Sequence, residues 1–418
     1  MKLLVSIGYV SFLTLAGNVW ADDVSDLRAL LDANTHDIKL ESGELSGSGA
    51  NLIFDAANGT QFVALGEEHN NYYIPDITTA LFRELNSQYN YQYFMTEQDP
   101  AMMETFSRAP VRGDQKAINS RAQSYQSGVT FNSDEELRML AEIGQISSAK
   151  GDVIWGCDQA AGVTHVLDLL LETDISESAK SAVRSFRDIS AEKEAVRDYS
   201  KSHYMFDVAT EDLQKLRADV GAEDGSHAAW LLDTIIQSSR IFGFYRNGNA
   251  DILPGYYENN RYREEHLKDL CLAKYRAAEI EDRQPKVLMK FGSWHLYEGL
   301  SPTRMHTIGD FFANVARFNG NKFLSIHFTS LPKDPEDSMK DLGFIWPFIR
   351  DLSPDEFAVL DLRPFRRYPN RNLAARVLGE EWADKYKESY IRLVYGYDLI
   401  FFVGTTRGAT FEVVPPPK

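Results

Sequence analysis

Two histidines in this sequence close the same short pattern, Gly-x-x-His, at Gly66 to His69 and again at Gly292 to His295. An imidazole titrates near neutral pH, so either histidine can take a proton from water or from a hydroxyl group without an extreme pKa shift. Carboxylates at Glu67 and Glu97 can orient such a ring and stabilise its cation. These residue types therefore predict a site for proton transfer.

The same side chains could instead bind a divalent metal ion. His69, His295 and Glu97 offer two imidazoles and one carboxylate, a ligand set typical of catalytic sites in which a metal-bound water becomes the nucleophile. The sequence does not separate metal-assisted from metal-free chemistry, and both remain hypotheses at this point.

Other common catalytic and nucleotide-binding motifs are missing from the sequence. It has no Gly-x-Ser-x-Gly elbow, no phosphate loop ending in Gly-Lys-Ser or Gly-Lys-Thr, and no His-Glu-x-x-His pattern. A serine nucleophile of the elbow type and a nucleotide cofactor are therefore disfavoured.

Each of four polar motifs directly follows an apolar run. The motifs begin at Gly66, Glu97, Gly156 and Gly292, and the runs before them are predicted strands, namely Gln61 to Leu65, Tyr91 to Thr96, Asp152 to Trp155 and Lys286 to Phe291. Ligands of an open α/β sheet bind beyond the carboxyl ends of its strands. We therefore expect one cavity at that edge to be lined by five side chains, namely Glu67, His69, Glu97, Asp158 and His295.

Strand-like runs alternate with helical patterns, which predicts an α/β fold with a mainly parallel central sheet flanked by helices. Helical spacing covers Ile74 to Leu85 and Asp134 to Ser148, and several more helices are predicted from Gly162 onward. Three later apolar runs add predicted strands, at Lys322 to Phe328, Phe357 to Leu362 and Asp398 to Gly404.

One stretch interrupts this alternation. From about Val166 to Arg240 the chain carries dense charged residues and alanines at helical spacing, and a Gly- and Asn-rich joint follows at Gly243 to Gly255. We interpret residues 166–255 as a helical insertion, or cap, within an α/β domain that spans residues 22–418. Thr105 to Ser133 is rich in Ser, Gly, Asn, Arg and Gln and is predicted to be a long loop.

A charged helix is predicted from Tyr256, directly before the strand that leads to His295. Its position suggests that Arg261 or Arg263 faces the substrate, although a solvated surface helix is the ordinary interpretation of such a charge run. We also assign substrate binding to Asp158 and Glu68, since both lie in the polar motifs.

The charge of the chain limits its partners. There are 44 Lys and Arg residues against 61 Asp and Glu residues, which gives a net charge of -17. Such a chain is repelled by nucleic acid and by anionic membrane surfaces. We expect a small-molecule or peptide substrate.

The first 21 residues have the pattern of a signal peptide. Lys2 precedes an apolar run from Leu3 to Gly17, and Val19 and Ala21 place small residues before a cleavage point at Asp22. The run is shorter than the roughly 20 residues of a membrane-spanning helix, so we expect a periplasmic or secreted protein without a membrane anchor after cleavage. The two cysteines, Cys157 and Cys271, are expected either to form one disulfide or to be two separate buried thiols.

With these motifs the chain resembles the erythromycin esterase-like family, within a superfamily that includes ChaN-like haem-binding proteins and the Tiki/TraB proteases. The resemblance runs from Leu27 to about Phe411. Its motifs are Leu65 to His69, Thr96-Glu97, Trp155 to Asp158, Arg261 to His266, Gly292 to His295, Ala358 to Arg363 and Tyr397 to Phe402.

The resemblance implies roles for individual residues. It implies a base at His69, acidic partners at Glu67 and Glu97, and a second site histidine at His295, and hence a secreted hydrolase that activates water to cleave an ester or amide. The ChaN-like relatives imply an alternative, in which the same site binds haem or a metal ion. For haem, nearby ligand candidates are tyrosines, namely Tyr72, Tyr73 and Tyr297. Gly292 stands where the esterases tend to carry a further histidine.

Overall fold

The computed structural model describes residues 23–196, 204–330, 356–367, 392–405 and 407–415. Its strands form one nine-stranded mixed sheet. The strands are β1 (Thr35–Glu41), β2 (Glu44–Ser46), β3 (Thr60–Glu67), β4 (Tyr93–Thr96), β5 (Ile154–Gly156), β6 (Val287–Gly292), β7 (Lys322–Ser330), β8 (Phe357–Asp361) and β9 (Leu399–Val403).

The sheet has a parallel part and an antiparallel edge. The strand order is β2-β1-β8-β9-β7-β3-β6-β4-β5, in which the six strands from β9 to β5 are parallel and the pairs that involve β8, β1 and β2 are antiparallel. β3 lies between β7 and β6, and Leu65 is in register with Ile326 on one side and Lys290 on the other. The carboxyl ends of β3, β4, β5 and β6 therefore meet at one edge.

Helices cover both faces of the sheet. They are α1 (Asp23–Asn34), α2 (Ser48–Ala57), α3 (Ile74–Tyr89), α4 (Pro100–Ser107), α5 (Gln115–Ser124), α6 (Asp134–Ile146), α7 (Thr164–Glu172), α8 (Glu177–Ala195), α9 (Thr210–Val220), α10 (His227–Arg246), α11 (Gly255–Ala278) and α12 (Ile308–Phe318).

Side chains of β3 alternate between two hydrophobic cores, as the period of a strand requires. Val63 and Leu65 belong to the core that includes α2, α3 and α6, whereas Phe62 and Ala64 belong to the core that includes α11 and α12. Every residue of β3 is buried. A strand covered on both faces reads as a continuous apolar run, which is why the parallel strands could be predicted from sequence.

The predicted fold class is confirmed, since the described chain is an α/β protein with a mostly parallel sheet between helices. All seven predicted strands are present, with ends displaced by no more than two residues, and both named helices are present. The antiparallel strands β1 and β2 were not predicted. Their residues are mostly polar and only partly buried, so the apolar signal of a strand is weak there.

The prediction of a long loop from Thr105 to Ser133 is wrong. The segment contains α5, which begins after Asp114, whose side chain accepts hydrogen bonds from the backbone N–H groups of Lys116 and Ala117. Only Ile118 and Ala122 of α5 are buried. These two apolar residues, four positions apart, pack the helix against the core. The other residues of α5 are mostly polar, so the sequence shows no apolar stripe that would predict a helix.

The described residues between 166 and 255 form helices and the turns that connect them, and they contain no strand. Helices α7 to α10 form a separate hydrophobic core, which reaches the rest of the fold through Ala101 of α4. The boundaries of an inserted cap stay a prediction. The signal peptide lies outside the described residues, and none of the described helices is long and apolar enough to cross a membrane.

Of the two alternatives for the cysteines, the structure shows the disulfide. Cys157, directly after β5, is bonded to Cys271 of α11 across a sequence separation of 114 residues, with the two Cα atoms 5.6 Å apart. The bridge therefore ties α11 to the carboxyl end of the sheet.

Replacing both cysteines with serine should lower the free energy of unfolding by about 2–5 kcal/mol, because the bridge closes a long loop in the unfolded chain. Urea unfolding of the double variant and of the oxidised wild type measures the difference. The wild type in reductant is the control and should match the variant. Two titratable thiols in the unreduced, denatured wild type would contradict the disulfide.

Candidate active site

A cavity of about 370 Å³ opens at the carboxyl edge of the sheet. It is lined by Glu67, Glu68, His69, Gly292, Ser293, Trp294, His295, Tyr297, Pro302, His327, Thr329, Arg392, Leu393 and Tyr397. His69 and His295 thus reach one cavity, as the strand ends predicted. Glu97 and Asp158 are buried, and both contact Arg263, which itself contacts His295.

The two Gly-x-x-His motifs touch because β3 and β6 are neighbours. A Cβ atom at Gly66 would lie 2.9 Å from the Cα atom of Ser293, so only glycine permits this backbone approach. A Cβ at Gly292 would lie 2.8 Å from His69 Nε2 and 3.3 Å from Glu97 Oε2. The lack of a side chain at Gly292 therefore leaves room for the His69 ring.

His69 is held on two sides. Its Nδ1 lies 3.0 Å from Glu67 Oε1, and its ring stacks on Phe131 with the ring centroids 4.3 Å apart. Burial lowers the pKa of His69, but the hydrogen bond to Glu67 and the charges of Glu67 and Glu97 outweigh burial and raise it above the ordinary value. With Nδ1 engaged, Nε2 is the nitrogen left for chemistry.

Glu67 is in turn held by Lys290, a lysine inside β6 that is only 1% exposed. Lys290 Nζ lies 2.8 Å from Glu67 Oε2 and 3.0 Å from Glu136 Oε1 of α6. Burial raises the pKa of Glu67, but Lys290 and His69 outweigh burial and lower it below the ordinary value. Glu67 is therefore ionised when it orients His69.

Glu97 is a buried carboxylate that both motifs share. Its Oε2 accepts the backbone N–H of Gly292 at 2.7 Å, and its Oε1 accepts a hydrogen bond from Arg263 Nη2 at 2.5 Å. His69 Nε2 lies 3.8 Å from Oε2, and His295 Nε2 lies 3.4 Å from Oε1. Burial raises the pKa of Glu97, but the three basic side chains around it, His295, Arg263 and His69, together with the Gly292 N–H outweigh burial and lower it to about 2.

Two contacts of His295 Nε2 decide whether its ring is charged. Arg263 Nη1 lies 3.1 Å from it and can only donate, whereas Glu97 can only accept. Nδ1 bonds to Glu264 Oε1, and the second oxygen of Glu264 accepts the backbone N–H of Ile308. Burial lowers the pKa of His295, but Glu97 and Glu264 outweigh burial and raise it above the ordinary value. The carboxylates of Glu97 and Glu264 therefore favour the protonated ring.

Of the two predicted arginines, only Arg263 reaches the site. It donates two hydrogen bonds to Asp158, at 3.0 and 2.9 Å, a third to Gln159 and a fourth to Glu97. Its guanidinium is thus engaged by protein groups rather than offered to a substrate. Arg261 lies on the exposed side of α11, where it pairs with Glu265 at 3.1 Å.

The other two predicted substrate-binding residues also bond to the protein. Asp158 holds Arg263 in place. Glu68 lines the cavity, but it accepts hydrogen bonds from the Thr329 hydroxyl at 2.9 Å and from the backbone N–H of Ser330 at 2.9 Å, which fixes it to the end of β7.

The geometry does not fit a divalent metal bound by His69, Glu97 and His295. Both Nδ1 atoms are hydrogen-bonded to glutamates, which leaves the two Nε2 atoms as the possible ligands, and the Arg263 guanidinium lies next to Nε2 of His295. That guanidinium would repel a cation at the position where a metal ligand must bind it. In the described ranges no group of three or more His, Cys, Asp or Glu side chains could hold a metal ion.

The tyrosines suggested for haem do not fit ligation of an iron atom. The Tyr72 ring lies beneath the Arg407 guanidinium at 3.6 Å, and Tyr73 packs edge-on against Phe357. Tyr297 lines the cavity, but it is buried and its ring packs edge-on against Tyr397.

Sequence reasoning missed Lys290, Glu264, Ser293 and His327. A lysine within an apolar strand is the signal that identifies Lys290, because a buried lysine needs an acidic partner. His327 is the sixth residue of β7 and belongs to no sequence motif, since it lies inside the strand rather than after it. Glu264 was one charge among many on α11.

No protein-family model matches the chain, and no curated protein is similar to it in sequence. The ChaN protein of Campylobacter jejuni, described with cofacially bound haem, matches with a TM-score of 0.29 and 11% identity over 72% of this chain and 93% of that chain. A likeness of that size carries no argument for haem.

Two solved structures are similar over nearly the whole chain. A succinoglycan biosynthesis protein matches with a TM-score of 0.57 and 13% identity, over 93% of this chain and 99% of that protein. A mutant of the erythromycin esterase EreC in its open conformation matches with a TM-score of 0.52 and 14% identity, over 91% of this chain and 100% of the esterase. At these identities the likeness shows the fold alone.

Proposed function

We propose that this protein is a hydrolase that cleaves an ester or amide with a water molecule activated by His69. The observation that carries the proposal is the pairing of His69 Nδ1 with an ionised Glu67 at 3.0 Å, at the wall of a cavity. A carboxylate at one ring nitrogen fixes the tautomer and raises the basicity of the other nitrogen. The fold that the chain shares with an esterase supports the same class of reaction.

The proposed reaction has two steps. His69 Nε2 takes a proton from water as the water oxygen bonds to the carbonyl carbon, and the carbonyl oxygen becomes an oxyanion. The positive ring of His295, which also lines the cavity, stabilises that oxyanion. When the intermediate collapses, the bond to the leaving group breaks and His69 returns its proton to the departing oxygen or nitrogen.

The remaining charged groups act through these two histidines. Glu97 stabilises both ring cations, and Arg263 with Asp158 holds Glu97 in position. Lys290 keeps Glu67 ionised. They are positioning residues, because their charged groups are engaged by one another.

We further propose that the protein acts in the periplasm or outside the cell. The signal-like start of the sequence suggests export, and the Cys157–Cys271 bridge supports it, because structural disulfides persist in oxidising compartments.

The His69→Ala variant should lose about 10²- to 10⁴-fold in turnover, the usual contribution of a general base. The assay uses an ester found by screening short-chain and glycosyl esters with the wild type. His306→Ala is the control, since His306 is an exposed histidine outside the cavity. Unchanged turnover in a His69→Ala protein that melts at a much lower temperature would make His69 a structural residue.

The value of kcat/KM should rise with pH as His69 loses its proton and fall again as His295 loses its proton. Because the pKa of His69 is raised, the acid limb should lie at a higher pH than the ordinary pKa of an exposed histidine. The Glu67→Gln variant lacks the carboxylate that stabilises the protonated His69 ring. Its acid limb should therefore move to lower pH, and its maximum kcat/KM should fall. Measurements from about pH 5 to 9 cover both limbs.

Glu142→Gln is the matched control for this profile, because Glu142 pairs with Arg83 at the surface and lies outside the cavity. Its acid limb should coincide with that of the wild type. An acid limb that Glu67→Gln leaves in place would show that the group titrating there is not His69.

A further inference from the structure

A third histidine, His327 of β7, lines the cavity and has no part in the reaction proposed above. Its ring stacks on Tyr397, with centroids 4.7 Å apart and an interplanar angle of 23°. Its Nδ1 lies 3.0 Å from Ser293 Oγ. The stacking and this hydrogen bond fix the ring within the cavity wall.

The hydrogen bonds of Ser293 determine which nitrogen of His327 carries the proton. Ser293 Oγ lies 3.2 Å from the backbone carbonyl oxygen of Glu67, which can only accept, so the single hydroxyl proton is donated there. His327 Nδ1 must then be the donor to Ser293 Oγ. Burial lowers the pKa of His327 to about 4, so the ring is neutral at pH 7 and its Nε2 carries no proton.

An unprotonated Nε2 at a cavity wall is a hydrogen-bond acceptor. It suits a hydroxyl group of a substrate, and it does not suit a carboxylate, a phosphate or an ester carbonyl, all of which need a donor. Two further carboxylates, Glu67 and Glu68, line the same cavity and disfavour an anionic ligand. Arg392 adds a positive charge to the wall, so an anionic ester belongs among the probes.

The cavity also offers an apolar platform. Trp294, between Ser293 and His295, is 50% exposed and lines the cavity. An exposed indole beside a polar site provides a flat apolar face together with one N–H donor. A ring that carries hydroxyl groups on its edge and C–H groups on its face would use both Trp294 and His327.

We propose that the substrate is a neutral ester of a hydroxylated ring compound, such as an acylated sugar, with a ring hydroxyl donated to His327 Nε2 and a ring face packed on Trp294. This inference rests on the proposed function for the reaction and adds the substrate class. His327 is then a specificity-determining residue of the site.

Three primary acetates test the substrate class. Methyl 6-O-acetyl-glucoside carries ring hydroxyls, cyclohexylmethyl acetate has the same ring size without them, and 6-acetoxyhexanoate is anionic. The wild type should prefer the glucoside over each of the other two by about tenfold or more in kcat/KM, because a ring hydroxyl can donate to His327 Nε2, which has no hydrogen-bond partner within the described ranges. Equal or faster cleavage of either of the others would overturn the proposal.

Two variants test the role of His327. His327→Phe keeps a flat ring but removes the acceptor, and it should lower the preference for the glucoside over cyclohexylmethyl acetate by about tenfold. Ser293→Ala should also lower this preference, because without the Ser293 hydroxyl the proton of His327 is no longer fixed on Nδ1. His306→Phe is the matched control and should retain the wild-type preference. A preference that survives in both site variants would overturn the assignment of His327.

Binding separates the substrate class from the reaction. If none of the acetates is cleaved, the proposed hydrolysis fails, and saturation-transfer NMR with methyl glucoside and with cyclohexylmethanol tests the class alone. Binding of methyl glucoside that is weakened by His327→Phe would support the substrate class, whereas equal binding of the two probes would overturn it. Cleavage of the acetates without preference for the glucoside would support the proposed hydrolysis but overturn the proposed substrate class.

Discussion

The buried negative charge of Glu97 is the interaction on which the site depends. An isolated carboxylate in a protein interior costs several kcal/mol, so it is found there only with partners that offset the cost. Arg263, the N–H of Gly292 and two histidine rings supply those partners. Because one carboxylate serves all of them, the ends of β4 and β6, the motif after β3 and the helix α11 are held in one arrangement.

The parallel sheet makes this sharing possible. Neighbouring parallel strands lie about 4.8 Å apart, which is close enough for side chains from three strand ends to meet. The approach is tight enough to require glycine at two points, Gly66 against Ser293 and Gly292 against His69. Basic and acidic side chains then alternate across the edge, from Lys290 through Glu67 and His69 to Glu97.

The sequence was sufficient to predict the parallel strands of the sheet, its carboxyl edge and the two histidine motifs, because buried parallel strands are continuous apolar runs that end at polar residues. It was not sufficient to choose between Arg261 and Arg263. Side chains two positions apart on a helix are separated by about 200° around its axis, so these two arginines lie on nearly opposite sides of α11. A helix without a clear apolar stripe does not indicate which of its sides faces the sheet. His327 was missed for another reason, since it lies within its strand and becomes part of the site only through the neighbouring Ser293.

The Cys157–Cys271 bridge has a consequence for when the site is completed. Arg263 and Glu264 lie on α11, two turns before the cysteine that bonds this helix to the end of β5. While the thiols are reduced, the helix that carries these two members of the charge network lacks its covalent anchor. Oxidation of the two thiols would therefore fix the position of α11 on the sheet, and with it the positions of Arg263 and Glu264.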